Sequence, residues 1–165
     1  MLTNEKTLHK VLVSITDELR NRKQILRTAG VANIDEYNRN AKKKLYRIVF
    51  ACDEIAEVLD KTGLSKQQKD EILKIESELS IIARQGRAFG IHLVLATQRP
   101  DAAILNGQIR NNIDTRICGR ADNVLSQIIL DNTDASDKIA KSSQGRFLTN
   151  SGKIFQAYWF DENIL

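Results

Sequence analysis

The chain has 165 residues, 42% hydrophobic and 28% charged, with a net charge of +4 and a pI near 9.1. That size and apolar content suit one folded domain with a sizeable core and exclude a disordered or low-complexity chain. No apolar run approaches the roughly 18 residues of a membrane span and no signal-peptide pattern is visible, which leads us to expect a cytoplasmic protein.

The first element is an amphipathic helix: Leu8, Val11, Leu12, Ile15, Leu19 and Leu26 recur at helical spacing, with Asn4 as N-cap and Gly30 as stop. Asn33 and Glu36 resemble a capping box for a short second helix. The basic cluster Arg39, Lys42, Lys43, Lys44, Arg47 follows, read either as a solvated face or as a phosphate-contacting patch. Leu45 to Cys52 is an apolar run rich in strand formers. Ser65 and Gln68 open a long helix in which Ile72, Ile75, Leu79 and Ile82 share a face until about Gly86 to Gly90.

Ile91 to Thr97 then reads as a second strand. Continuous apolarity over so few residues predicts parallel strands buried on both faces, with the long helix as the crossover of a βαβ unit. Pro100 ends that strand, and Ala102 to Asn112 reads as loop and short helix. Thr115 to Gly119 reads as a short strand and Asp122 to Leu130 as a helix. Gly145 to Thr149 and Lys153 to Phe160 form a closing hairpin. The expected fold is α/β, a single domain over 1–165, with a helical lead-in over 1–44 and a mainly parallel sheet over 45–165 that carries an antiparallel hairpin.

Cys52 and Cys118 both sit in apolar runs, so buried thiols in a reducing compartment are expected rather than a disulfide. His9 and His92 lack ligand neighbours at metal-site spacing. The sharpest chemical feature is RIVFACDE, where a strand delivers Asp53 and Glu54 at its carboxyl end, the place where open α/β sheets hold ligands. Two readings stand side by side. In one, Asp53 orders the water shell of Mg²⁺ and Glu54 polarises an attacking water; in the other, Asp53 caps a helix starting near Ile55 and Glu54 meets its positive end.

The second strand ends in ATQRP, where Thr97 or Gln98 can sense a γ-phosphate, or where their side chains simply stabilise a turn. A phosphate-binding loop, G-x-x-x-x-G-K-[ST], is absent from the sequence because no glycine pair has that spacing. The expected consequence is that these 165 residues alone do not turn over ATP.

The ordered segments RIVFACDE, ARQGRAFGIHLVLATQRPD, IRNNIDTRICGRAD, QIILD and QGRFL resemble the FtsK/SpoIIIE ATPases, from about Arg47 to Phe160, with members from mobile elements the most similar. The resemblance implies the C-terminal part of a RecA-like P-loop NTPase core that works as a homo-oligomeric ring, usually a hexamer, and couples ATP hydrolysis with Mg²⁺ to movement of double-stranded DNA. It assigns Asp53 and Glu54 to the Walker B pair, with Glu54 as catalytic base. Gln98 takes the polar sensor position, Arg116 reaches a neighbouring subunit's nucleotide with Arg120 in reserve, and Gly145 to Phe147 form a loop near the base. Gln127 stands where many members have Arg, and QGRFL replaces a more glycine-rich form. A conjugative coupling or translocation protein is the leading reading. A type VII-like secretion ATPase and a non-catalytic regulatory domain are the alternatives, and any membrane attachment would come from segments not present.

Overall fold

The computed structural model describes residues 5–98 and 107–158. Asn4, Pro100, Ala102 and Phe160, named above, lie outside them. Within the described residues the chain forms two compact units, 5–98 with 107–113, and 114–158.

In the first unit, α1 (Glu5–Thr28) packs along α4 (Lys66–Gln85). Leu12 and Leu19 meet Ile72, Ile75, Leu79 and Ile82 in a core that also takes Ile55, Leu59, Ile91 and Ile109. The caps form as expected. Asn33 accepts the Glu36 amide before α2 (Ile34–Asn40), and Ser65 and Gln68 make a reciprocal box before α4. Strands β1 (Ile48–Cys52) and β2 (Ile91–Leu95) pair in parallel, Ile48 opposite Ile91 and Cys52 opposite Leu95, with α4 in the crossover between them. The short α3 (Ile55–Leu59) follows β1, and α5 (Gly107–Asn111) packs on α4.

Two expectations about the strands need correction. β1 begins at Ile48 rather than Leu45, because the Asn38 side-chain amide takes both backbone groups of Leu45: its Nδ2 donates to the Leu45 carbonyl at 2.8 Å and its Oδ1 accepts the Leu45 N–H at 2.8 Å. A side chain occupies groups that a neighbouring strand would otherwise use. The parallel pair is also not buried on both faces. Ile48, Phe50, Cys52, Leu93 and Leu95 face the helical core, whereas Val49 is 59% and Val94 55% exposed. Among the described residues no layer covers that second face.

Two glycines set the approach to β2. A Cβ on Gly86 would lie 2.5 Å from the Ile91 carbonyl oxygen and 2.8 Å from that of Ile82, so the end of α4 meets the start of β2 backbone to backbone. Gly90 has φ +72°, left-handed, and its carbonyl accepts the Ile48 N–H at 2.9 Å, which starts the parallel ladder. Buried Arg22 ties α1 to this turn, donating from Nε to Glu18 Oε1 at 2.7 Å and from a terminal nitrogen to the Phe89 carbonyl at 2.9 Å.

The second unit corrects the sheet expectation further. β3 (Ile117–Cys118), β4 (Arg146–Thr149) and β5 (Ile154–Gln156) form their own three-stranded antiparallel sheet in the order β3-β4-β5, so the strand at 117 joins the hairpin. Helices α6 (Asn123–Leu130) and α7 (Asp134–Lys138) cover it through Leu130, Ala135, Ile139 and Leu148. The hairpin closes through Asn150 to Gly152 as expected.

Replacing Gly86 with Ala should destabilise the first unit by about 1–3 kcal/mol in denaturant unfolding, since both opposing atoms are backbone and neither can swing aside. The Arg22 guanidinium holds the Glu18 carboxyl below the usual carboxylate range. A pKa lowered on folding contributes stability above the unfolded value and loses it as pH falls through the folded one. Acid titration of stability should therefore show a loss below the ordinary glutamate range that Glu18→Gln reduces.

Candidate functional site

The carboxyl ends of β1 and β2 are held together beyond the last paired residues. Ala96 N–H donates to the Cys52 carbonyl at 2.8 Å and Ile55 N–H to the Ala96 carbonyl at 2.9 Å. The chain leaves β1 through Asp53 and turns into α3 at Glu54, which is the N-cap residue. Asp53 is exposed and is not the cap, so the capping role falls one residue later than the sequence suggested.

Among the described residues three donors converge on the half-buried Glu54 carboxylate. Its Oε1 accepts the Ala56 N–H at 3.3 Å and the Thr97 hydroxyl; its Oε2 accepts the Gln98 N–H at 2.8 Å. The parallel pairing thus brings Glu54, Thr97 and Gln98 into one cluster with Asp53 beside it. The sequence had pointed to all four residues but not to the bond between Glu54 and Thr97. The signal for it lay in the pairing itself, since strands with ends in register place the residues just beyond them side by side. Cys52, next along β1, has its thiol pushed up by burial, so it stays protonated near neutral pH and serves as packing.

Among the described residues no group of three or more His, Cys, Asp or Glu side chains is arranged to hold a metal. A cation here would be held by a single carboxylate with water and phosphate oxygens, the arrangement usual for Mg²⁺, and exposed Asp53 fits that role.

The remaining predicted residues lie in the second unit. Arg116 is mostly buried, its side chain 17% exposed, and pairs through one terminal nitrogen with Asp131 at 2.6 Å. Its Nε and other terminal nitrogen have no hydrogen-bond partner among the described residues. Asn150 fixes its backbone, accepting the Arg116 N–H at 3.1 Å and donating its own N–H to the Arg116 carbonyl at 2.9 Å. Arg120 instead donates to the Ser136 and Ile139 carbonyls at the end of α7, a structural job. Gly145, φ +66°, opens β4, and its carbonyl accepts the Ala157 N–H at 2.8 Å. The sequence reading missed α7, although Asp134 and Asp137 in its first turn and Lys138 in its last are helix signals.

No protein-family profile matches the chain. Over 156 residues it is 32% identical to the DNA translocase FtsK of Chlorobaculum tepidum, an alignment covering 93% of this chain and 18% of that protein. Among solved structures it is similar to the conjugation coupling protein TcpA of pCW3, in its monomer form with ATPγS, at 40% identity and TM-score 0.90, covering 98% of this chain and 47% of that one. The second and third ATPases of EssC from Geobacillus thermodenitrificans share the fold, at 23% identity and TM-score 0.70, covering 93% of this chain and 27% of that one.

A parallel strand pair ending in the cluster around Glu54, with these likenesses, defines the class: an α/β segment resembling part of FtsK and TcpA. Within that class the chain belongs to the FtsK/SpoIIIE family, and it spans 18% of the length of the FtsK relative it matches.

Exchange of the Gln98 and Ala56 amide protons should quicken in Glu54→Ala, which removes both acceptors, while the Ala96 amide, bonded to a backbone carbonyl, should stay protected; this is readable by hydrogen exchange.

Proposed function

We propose that the chain is the Walker B half of a RecA-like motor core that couples ATP hydrolysis to movement of double-stranded DNA, as a coupling or translocation protein of a conjugative element. The observation that carries this reading is the likeness to a conjugation coupling protein, 40% identical across 98% of the chain. The phosphate-binding half comes from polypeptide outside these 165 residues, and the bare valine face of β1 and β2 is consistent with a core that another layer completes. "Complete motor" below means the two halves together.

In the complete motor Glu54 accepts the proton of the attacking water, and the Gln98 amide, able to donate and accept at once, orients that water. Asp53 would hold Mg²⁺ through its water shell; the bound ion supplies charge neutralisation at the phosphates. Thr97 would offer its hydroxyl to the terminal phosphate. Arg116 serves the nucleotide of a neighbouring subunit in a ring, most simply a hexamer, by exchanging Asp131 for developing phosphate charge. Its two nitrogens without a partner among the described residues favour it over Arg120, which is committed to carbonyls. The likeness to EssC, at 23% identity, speaks for the fold alone and carries no argument for the alternative of protein secretion.

The isolated chain should show no ATP turnover. In the complete motor Glu54→Gln should lower kcat by roughly 100-fold or more while ATP binding persists, as loss of a general base requires; unchanged turnover removes Glu54 from that role. Duplex DNA should bind with affinity that falls steeply with salt, and absent or salt-insensitive binding in a filter assay counts against a DNA substrate.

A further inference from the structure

From Tyr37 to Cys52 the chain carries five basic side chains and no acidic one. The fold divides the five. Arg47 pairs with Asp35 at 2.6 Å, and Arg39 leans back from the end of α2 to the Asp35 carbonyl, its Nε at 3.4 Å. Lys42, Lys43 and Lys44 are exposed and have no hydrogen bond or ion pair among the described residues. Tyr46, two residues on, is 84% exposed.

The backbone of the three lysines is held from both ends. Ala41 N–H donates to the Tyr37 carbonyl at 3.0 Å where α2 stops, and Leu45 is clamped by Asn38 through two bonds of 2.8 Å. Three like charges are thus fixed side by side on a turn, where they repel one another, and a partner that meets them has only side chains to order. The nucleotide is not that partner. The turn precedes the amino end of β1 and the Glu54 cluster follows its carboxyl end, with the five residues of the strand, roughly 16 Å, between them.

We propose that Lys42, Lys43 and Lys44 grip the phosphate backbone of duplex DNA, with the Tyr46 hydroxyl as a further donor. The proposal rests on the motor reading above and assigns a surface by which this chain meets its substrate. Duplex DNA carries a charge for about every 1.7 Å of its axis, dense enough to meet three neighbouring ammonium groups at once. Lysine meets a phosphate as a point charge and reads no base edge, so the grip is the same on every sequence, as a protein that travels along DNA requires.

The test measures affinity of the complete motor for two duplexes of equal length and unrelated sequence, from about 50 to 200 mM salt. Wild type is compared with three variants: Lys42, Lys43 and Lys44 all changed to Gln; the same three changed to Arg; and Lys66, Lys69 and Lys141, exposed lysines elsewhere, all changed to Gln. The first should bind both duplexes roughly tenfold or more weakly, and the slope of log affinity against log salt should fall by about three, one for each lysine on a phosphate. The other two variants should stay close to wild type, and ATP turnover without DNA should be unchanged in all.

Wild-type affinity and slope in the first variant, while wild type binds DNA, overturn the grip and leave the motor reading standing. So does an equal loss in the Lys66, Lys69 and Lys141 variant, or a loss confined to one duplex. A wild-type motor that binds no duplex DNA overturns the grip and the DNA reading together. Should the first variant fail to fold, acetylation of wild-type lysines decides: duplex DNA should shield Lys42 to Lys44 and leave Lys66, Lys69 and Lys141 reactive, and undiminished labelling of the three overturns the proposal.

Discussion

The parallel pairing of β1 with β2 is the constraint on which the first unit depends. Parallel neighbours cannot be joined by a tight turn, so the chain must cross over, and α4 is the crossover. The crossover brings with it the apolar stripe of Ile72, Ile75, Leu79 and Ile82, against which α1 packs on one side and the inward side chains of the strands on the other. The same pairing, Cys52 opposite Leu95, carries the residues after each strand to the same place. Core and site are therefore two results of one register.

Much of this was legible in the sequence because it is local. Capping boxes at Asn33 and Ser65, the period of leucines in α1 and the polar tips of both strands are statements about neighbours in the chain, and each appears where local chemistry puts it. What was not legible depends on partners far away in sequence. Continuous apolarity in IVFAC and IHLVL was read as burial on two faces, but a strand's surroundings are set by which layers are present, and Val49 and Val94 face none among the described residues. The strand at Ile117 could not be assigned to a sheet from its own residues, since pairing with Leu148 and Thr149 is settled by the hairpin. The bond from Thr97 to Glu54 needed the register before it could be seen.

Three arginines show how differently one side chain can be used. Arg22 is buried and satisfied by Glu18 and a backbone carbonyl, and it fastens α1 to the turn before β2. Arg120 closes the end of α7 with two carbonyls. Arg116 has, among the described residues, one carboxylate partner and two nitrogens without one. A guanidinium with donors to spare can change partner at little cost, whereas one bound to backbone carbonyls cannot move without loosening the fold around it.

The Asn38 clamp on Leu45 reaches further than the loop it holds. Side chains alternate along a strand, so the residue at which pairing begins decides which parity faces the helices. With Ile48 first, even positions through Cys52 turn inward; beyond the strand, Glu54 is half-buried against Thr97 and Asp53 stands in solvent. A start displaced by one residue would exchange the two acids, setting the shorter side chain before the hydroxyl and the longer one outside. An asparagine near the end of the short helix α2 thus acts as a reading frame for the chemistry at the far end of the strand.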